Sequence, residues 1–209
     1  MEETIDQRVL NFTELLTGLP NQLRYIKRFS NCRAVVTENV AEHSYYVALI
    51  SMFIAEMLNL SPEEKYDVLR KAIIHDFEEL FTGDIIHNVK HTSNEVNTGI
   101  HSMAASQFLS LIHKLTGGDA YGLLIFGSWL SAKDSSIAGR IVSFADYASA
   151  VAYVYEEVMG GNIFMLRNVD DLLKTIEKFN GITEYGFLHP LRDQLWAIIR
   201  ELEKKKELL

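Results

Sequence analysis

Apolar residues recur along this chain at intervals of three and four, and alternating apolar and polar runs are scarce, so the pattern predicts helices throughout. The expected helices cover about 4–17, 39–59, 62–76, 94–115, 119–131, 135–159, 169–179 and 189–207. Two starts carry explicit signals. Asn39 is a good N-cap with Glu42 as its capping-box partner, and Ser61 stands before Pro62 with Glu64 three residues on. The pairs Gly117-Gly118, Gly160-Gly161 and Asn180-Gly181 read as stops and turns. No repeat, low-complexity tract or linker divides the 209 residues, a length that suits one hydrophobic core. The expected fold is therefore all-α, a compact single-domain helical bundle over 1–209.

Polar residues interrupt the apolar stripes at particular places. His43, Val47, Ile50, Ile54 and Met57 step by four and three, which aims His43 at the core. A lone histidine there is more often a hydrogen-bonded core residue than a ligand. The pair His75-Asp76 changes the picture, because Tyr66, Leu69, Ile73 and Asp76 share the same spacing on the next helix and aim a carboxylate inward. Burying such a charge costs several kcal/mol unless a cation meets it. Adjacent residues point about 100° apart on a helix, so both reach one ion only if the helix opens there, and Gly83 fits such an opening. Asp146 lies among apolar and small residues from Ile141 to Val151, and its helix-face neighbours Val142, Ser143, Ser149 and Ala150 offer no cation. Two histidines and two carboxylates make one borderline-to-hard site, suited to a single divalent Mn, Co, Fe, Mg or Zn ion.

Composition narrows the function. A net charge of −8 disfavours a nucleic-acid polymer as main partner, so any phosphate must meet a local basic patch. Arg24, Lys27, Arg28 and Arg33 supply one. Met1-Glu2-Glu3 lacks the basic start of a secretory signal, and no apolar run reaches the roughly 18 residues of a membrane span. Cys32 is the lone cysteine, which excludes an internal disulfide and a thiolate metal cage. A cytoplasmic location is the simplest expectation.

The order His43, His75-Asp76, Asp146 on separate helices resembles the H…HD…D pattern of the HD-domain phosphohydrolases. The segments Thr37-Glu38-Asn39-Val40-Ala41-Glu42-His43-Ser44 and His75-Asp76-Phe77-Glu78-Glu79-Leu80-Phe81-Thr82-Gly83-Asp84 resemble the bacterial 5′-deoxyribonucleotidases of that superfamily, over about residues 20–160. The resemblance implies hydrolysis of deoxyribonucleoside 5′-monophosphates to nucleoside and phosphate, and a homodimer. It implies that Glu79 and Asp84 work beside the metal on water and on the leaving oxygen. It also implies that Arg28 binds the phosphate while Phe29, standing where the family has Trp, packs against the sugar and disfavours a 2′-hydroxyl.

Three further readings stay open beside it: another nucleotide substrate (a triphosphate, a cyclic nucleotide or an alarmone), a non-catalytic metal- or nucleotide-binding module, and a second metal at His87 and His91. Those two histidines stand in a polar stretch and read first as surface residues. Glu78 reads as solvated, and His101, His113 and His189 show no partner in the sequence. Leu123, Leu124, Phe126, Trp129 and Leu130 form a broad stripe expected to leave apolar surface for a second subunit.

Overall fold

The computed structural model describes residues 9–85, 93–179 and 183–208. His87 and His91 lie outside the described residues. The fold is all-helical, as the periodicity predicts; among the described residues β pairing is limited to an isolated antiparallel bridge between Lys27 and Asn39. The helices are α1 (Phe12–Thr17), α2 (Val40–Met57), α3 (Pro62–Ile74), α4 (Glu79–Thr82), α5 (Asn94–Thr116), α6 (Ala120–Leu130), α7 (Ile137–Met159), α8 (Val169–Lys178) and α9 (His189–Glu207). The 3₁₀ segments among the described residues are Leu19–Tyr25, Ile163–Asn168 and Thr183–Leu188.

Both predicted capping boxes form. Asn39 accepts from the Glu42 amide at 3.0 Å while Glu42 accepts from the Asn39 amide, and Ser61 and Glu64 do the same ahead of Pro62. Gly117 closes α5 in the left-handed region, where a Cβ would be strained. The first helix is shorter than expected. Asn11 caps it by accepting from the Glu14 amide, so the described helix begins at Phe12. The 3₁₀ segments and α4 escaped the periodicity because they are too short for a 3.6-residue repeat to show.

The backbone contacts group into two compact units. One comprises the residues up to Phe29 together with Glu38–Val142; the other comprises Ser30–Thr37 and Ser143–Leu209. In the first unit α2 packs on α3 and α5 on α6. Its core gathers Ile74, Ala104, Phe108, Leu111, Ile112, Leu115 and Trp129, with Phe77, Leu80, Phe81 and Phe126 against them. Phe108 stacks on Phe77 at 4.6 Å and meets Trp129 edge-on at 5.3 Å. In the second unit α8 and α9 pack together, with Val169, Leu172, Ile176, Leu195, Ile199 and Leu202 buried. There Glu157 accepts from the amides of Val35 and Val36 at 2.8 and 2.7 Å, which pins the Ser30–Thr37 segment.

Two expectations about faces are corrected. On α3 the inward face carries Val68, Lys71, Ala72 and Ile74, while Tyr66 and Ile73 are exposed. The buried Lys71 decides this: its stem lies in the interior and its ammonium reaches Asp134 at 3.2 Å and Ser136 at 3.1 Å, a long-range pairing that no local pattern reports. On α6 Trp129 is core and Phe126 packs against the core, so only Leu123, Leu124 and Leu130 of that stripe are exposed.

Candidate metal centre

The capped start of α2 brings His43 into a fully buried position one turn into the helix. The other histidine arises where α3 ends. After Ile74 the chain tightens to hydrogen bonds three residues apart, with Phe77 N donating to Ile74 O, Glu79 N to Asp76 O and Leu80 N to Phe77 O. The α-helix thus ends at Ile74, which puts His75 and Asp76 at a helix end, as their adjacency requires. The helical run closes at Gly83, whose φ of 67° favours glycine, and Asp84 follows.

Three donor atoms converge within this unit. His75 Nε2 lies 3.3 Å from His43 Nε2 and 3.1 Å from Asp76 Oδ2, and His43 Nε2 lies 3.5 Å from Asp76 Oδ2. The His75 Nδ1 is 2.8 Å from the Ala72 carbonyl, which can only accept. Nδ1 therefore carries the proton and Nε2 keeps its lone pair facing the other donors. Bonds of about 2.0–2.2 Å to one ion place neighbouring donors roughly 2.9–3.5 Å apart in tetrahedral or octahedral geometry. The observed triangle has those edges. His43, His75 and Asp76 each offer one ligand atom here, while Asp146 lies on α7 in the second unit. Asp76 and Asp146 are partly buried rather than enclosed.

The surroundings hold further charges. Arg28 Nη1 lies 3.6 Å from Asp76 Oδ2, and its Nε lies 3.5 Å from Glu38 Oε2. Glu38 also faces His43 Nδ1 at 4.0 Å, placed to orient that ring. The segment holding Arg28 is tied to the start of α2, since the Arg28 amide donates to Glu38 O and the Val40 amide to Ile26 O. Phe29 takes a φ of 50° beside Arg28, whose guanidinium stands 5.8 Å from its ring centre. Of the basic cluster read from the sequence, Arg28 is the member in contact with this centre; Arg24, Lys27 and Arg33 are exposed.

Burial, with Asp76 and Asp84 as neighbouring carboxylates, pushes the Glu79 carboxyl up to about 9 against the pull of Arg28 and Lys133. Its Oε2 is buried without a hydrogen-bond partner among the described residues. Glu78 is buried rather than solvated. It turns the other way, toward His101 at 3.4 Å, and His101 in turn stacks on Trp129 at 4.9 Å. Lys133 and Glu38 are the charged groups that sequence reasoning left without a role. Glu38 was visible inside a motif, whereas Lys133, 3.5 Å from Asp76 Oδ1, lies far along the chain in a turn with no motif of its own.

An all-helical fold carrying a buried His-His-Asp triangle with arginine and carboxylates beside it defines a metal-dependent phosphohydrolase of the HD class. The sequence profile of the YfbR-like 5′-deoxynucleotidase family matches residues 15–193, and the chain belongs to that family. A 5′-deoxynucleotidase of Pasteurella multocida is 29% identical over 152 residues, covering 68% of this chain and 73% of its own. An HD-domain phosphohydrolase from Listeria innocua superposes with a TM-score of 0.71 at 22% identity, over 93% of this chain and 99% of its own. The HD phosphohydrolase DatZ of cyanophage S-2L, solved with deoxyadenosine and one catalytic Zn²⁺, superposes at 0.54 with 17% identity, over 90% and 96%.

Proposed function

We propose that this protein hydrolyses deoxyribonucleoside 5′-monophosphates to nucleoside and inorganic phosphate, with one divalent ion held by His43, His75, Asp76 and Asp146. The observation that carries the reading is the triangle of His43 Nε2, His75 Nε2 and Asp76 Oδ2 at ligand-to-ligand distances, with Arg28 against its carboxylate corner. The family and the deoxynucleoside bound by the cyanophage relative support the substrate class.

When bound, the ion supplies a Lewis acid that acidifies water and offsets charge on the phosphoryl group. This chain's residues do the rest. Arg28 holds phosphoryl oxygens through its fork of donors. Asp84 orients the water whose oxygen forms the new bond to phosphorus as the bond to the 5′-oxygen breaks. Glu79 holds a proton in its buried, carboxylate-crowded position and hands it to the departing 5′-oxygen, while the water's proton is accepted on the Asp84 side. Phe29 lies against the sugar, where a 2′-hydroxyl would lose its hydrogen bonds to water without gaining new ones.

The whole chain is read as one HD domain, placed in the cytoplasm, and as a homodimer. No helix among the described residues is long and apolar enough to cross a membrane. Tyr45, Phe53 and Met57 on α2 are exposed, and with Leu123, Leu124 and Leu130 they offer apolar surface for a second copy; light scattering at micromolar protein tests this.

The decisive experiment is a phosphate-release screen over ribo- and deoxyribonucleoside mono-, di- and triphosphates with Mn²⁺, Co²⁺, Mg²⁺ and Zn²⁺. Release from deoxynucleoside monophosphates, lost on chelation while the protein stays folded, is expected. Release from triphosphates or cyclic nucleotides alone, or from nothing, overturns the substrate assignment.

A further inference from the structure

Asp76 uses both oxygens. Oδ2 faces His43, His75 and Arg28, while Oδ1 faces the Lys133 ammonium at 3.5 Å. Two cations thus bracket one carboxylate, and their electrostatic reach extends to Glu79, on which both act. They stand among the carboxylates of Glu38, Asp76 and Asp84, with Glu79 holding its proton beside them, so negative charges still outnumber these two cations before any anion arrives. A phosphate dianion could approach it only against that charge, unless the ion and every available cation act together.

Lys133 is presented by a braced turn. It lies between α6 and α7 beside Asp134, whose side chain accepts from the Ser136 amide at 3.1 Å and from Lys71 at 3.2 Å. Lys71 is itself buried, 4% exposed, and also donates to Ser136. The backbone under Lys133 is therefore held from the interior. Its own side chain is 38% exposed, so the ammonium on its four-carbon stem meets solvent as well as Asp76.

A phosphomonoester has three peripheral oxygens. One goes to the ion and one to Arg28, whose guanidinium is shared with Glu38 on its Nε edge. The third needs another donor. We propose that Lys133 is a second phosphate-binding residue, closing on the substrate's phosphoryl group from the Oδ1 side of Asp76 while Arg28 holds it from the Oδ2 side. This rests on the phosphomonoesterase reading. The bland alternative is that Lys133 only neutralises Asp76, and the two differ in what its removal does. A phosphate ligand is lost in the first case; in the second, a competitor of the metal is lost and phosphate binding stays as it was.

The test uses the full chain loaded with Mn²⁺, as wild type, Lys133→Ala and Lys133→Arg, with Lys133→Met as the stem-keeping variant should the alanine form fail to fold. Calorimetric titration with inorganic phosphate reads the site directly, and steady-state kinetics on a deoxynucleoside monophosphate reads it in turnover. Loss of one charge-assisted hydrogen bond should raise the phosphate Kd and the KM roughly 10- to 100-fold, with Arg restoring most of the affinity. Mn²⁺ affinity in the metal-only titration should be unchanged or tighter. Phosphate binding within twofold of wild type in the alanine or methionine variant overturns the proposal. Should wild type cleave no nucleotide yet lose phosphate binding on Lys133→Ala, the phosphomonoesterase reading falls while the phosphate contact stands.

Discussion

Replacing Asp76 by Asn keeps the side chain's size and removes its charge, which isolates the ion-binding role. Asp76 Oδ2 is the corner shared by the two shortest ligand contacts with charge, 3.1 Å to His75 and 3.5 Å to His43. An ion present at a hundred times its Kd stabilises the folded chain by about 2.7 kcal/mol. For a chain of this size each kcal/mol moves the melting midpoint by about 2–4 °C, so wild type should gain roughly 5–11 °C on metal addition. If Asn weakens binding about a hundredfold, the same concentration adds only about 0.4 kcal/mol, or roughly 1–2 °C. The assay is differential scanning calorimetry of chelator-stripped protein, with and without Mn²⁺ or Zn²⁺. Only the difference with and without metal is compared, because Asn also releases Arg28 and Lys133 from their partner. Equal shifts in wild type and Asp76→Asn would falsify the assignment of Asp76 as a ligand.

Three further outcomes follow from the geometry. Glu79→Gln should lower kcat about 10²- to 10⁴-fold with metal binding retained, and full activity in that variant would remove its proton role. In the metal-free protein, a Glu79 carboxyl raised from 4.5 to about 9 binds its proton more tightly when folded. Its stability contribution is present at acid pH and lost as pH rises toward about 9. Metal-free Glu79→Gln should therefore melt above wild type at about pH 8 and match it near pH 4.5; a gap independent of pH would refute the burial argument. Phe108→Ala should cost about 3–5 kcal/mol in urea unfolding, because Phe108 is 1% exposed and contacts Phe77, Phe126 and Trp129. A loss below about 1 kcal/mol would mean the site can collapse.

Much of this was legible in the sequence for reasons that are local. Helix periodicity, the Asn39 and Ser61 caps and the glycine stops depend on neighbours within four residues, and the long helices accordingly lie where the pattern puts them. His43, His75, Asp76 and Asp146 were singled out because polar groups among apolar neighbours carry a desolvation cost that demands a partner. Glu79 and Asp84 came from a motif, and the structure puts them close enough to each other to raise the Glu79 pKa.

Tertiary structure decided the rest. Which face of α3 turns inward was settled by Lys71 reaching Asp134, so Tyr66 and Ile73 point outward despite their spacing. Glu78 is buried beside His101, and Trp129 is buried against Phe108. Lys133 stands against Asp76, 57 positions earlier in the chain, because a turn braced from the core presents it there. Propensity and capping act through the chain's own neighbours and can be read in order. Ion pairing and packing act through space, and their partners exist only once the chain has folded.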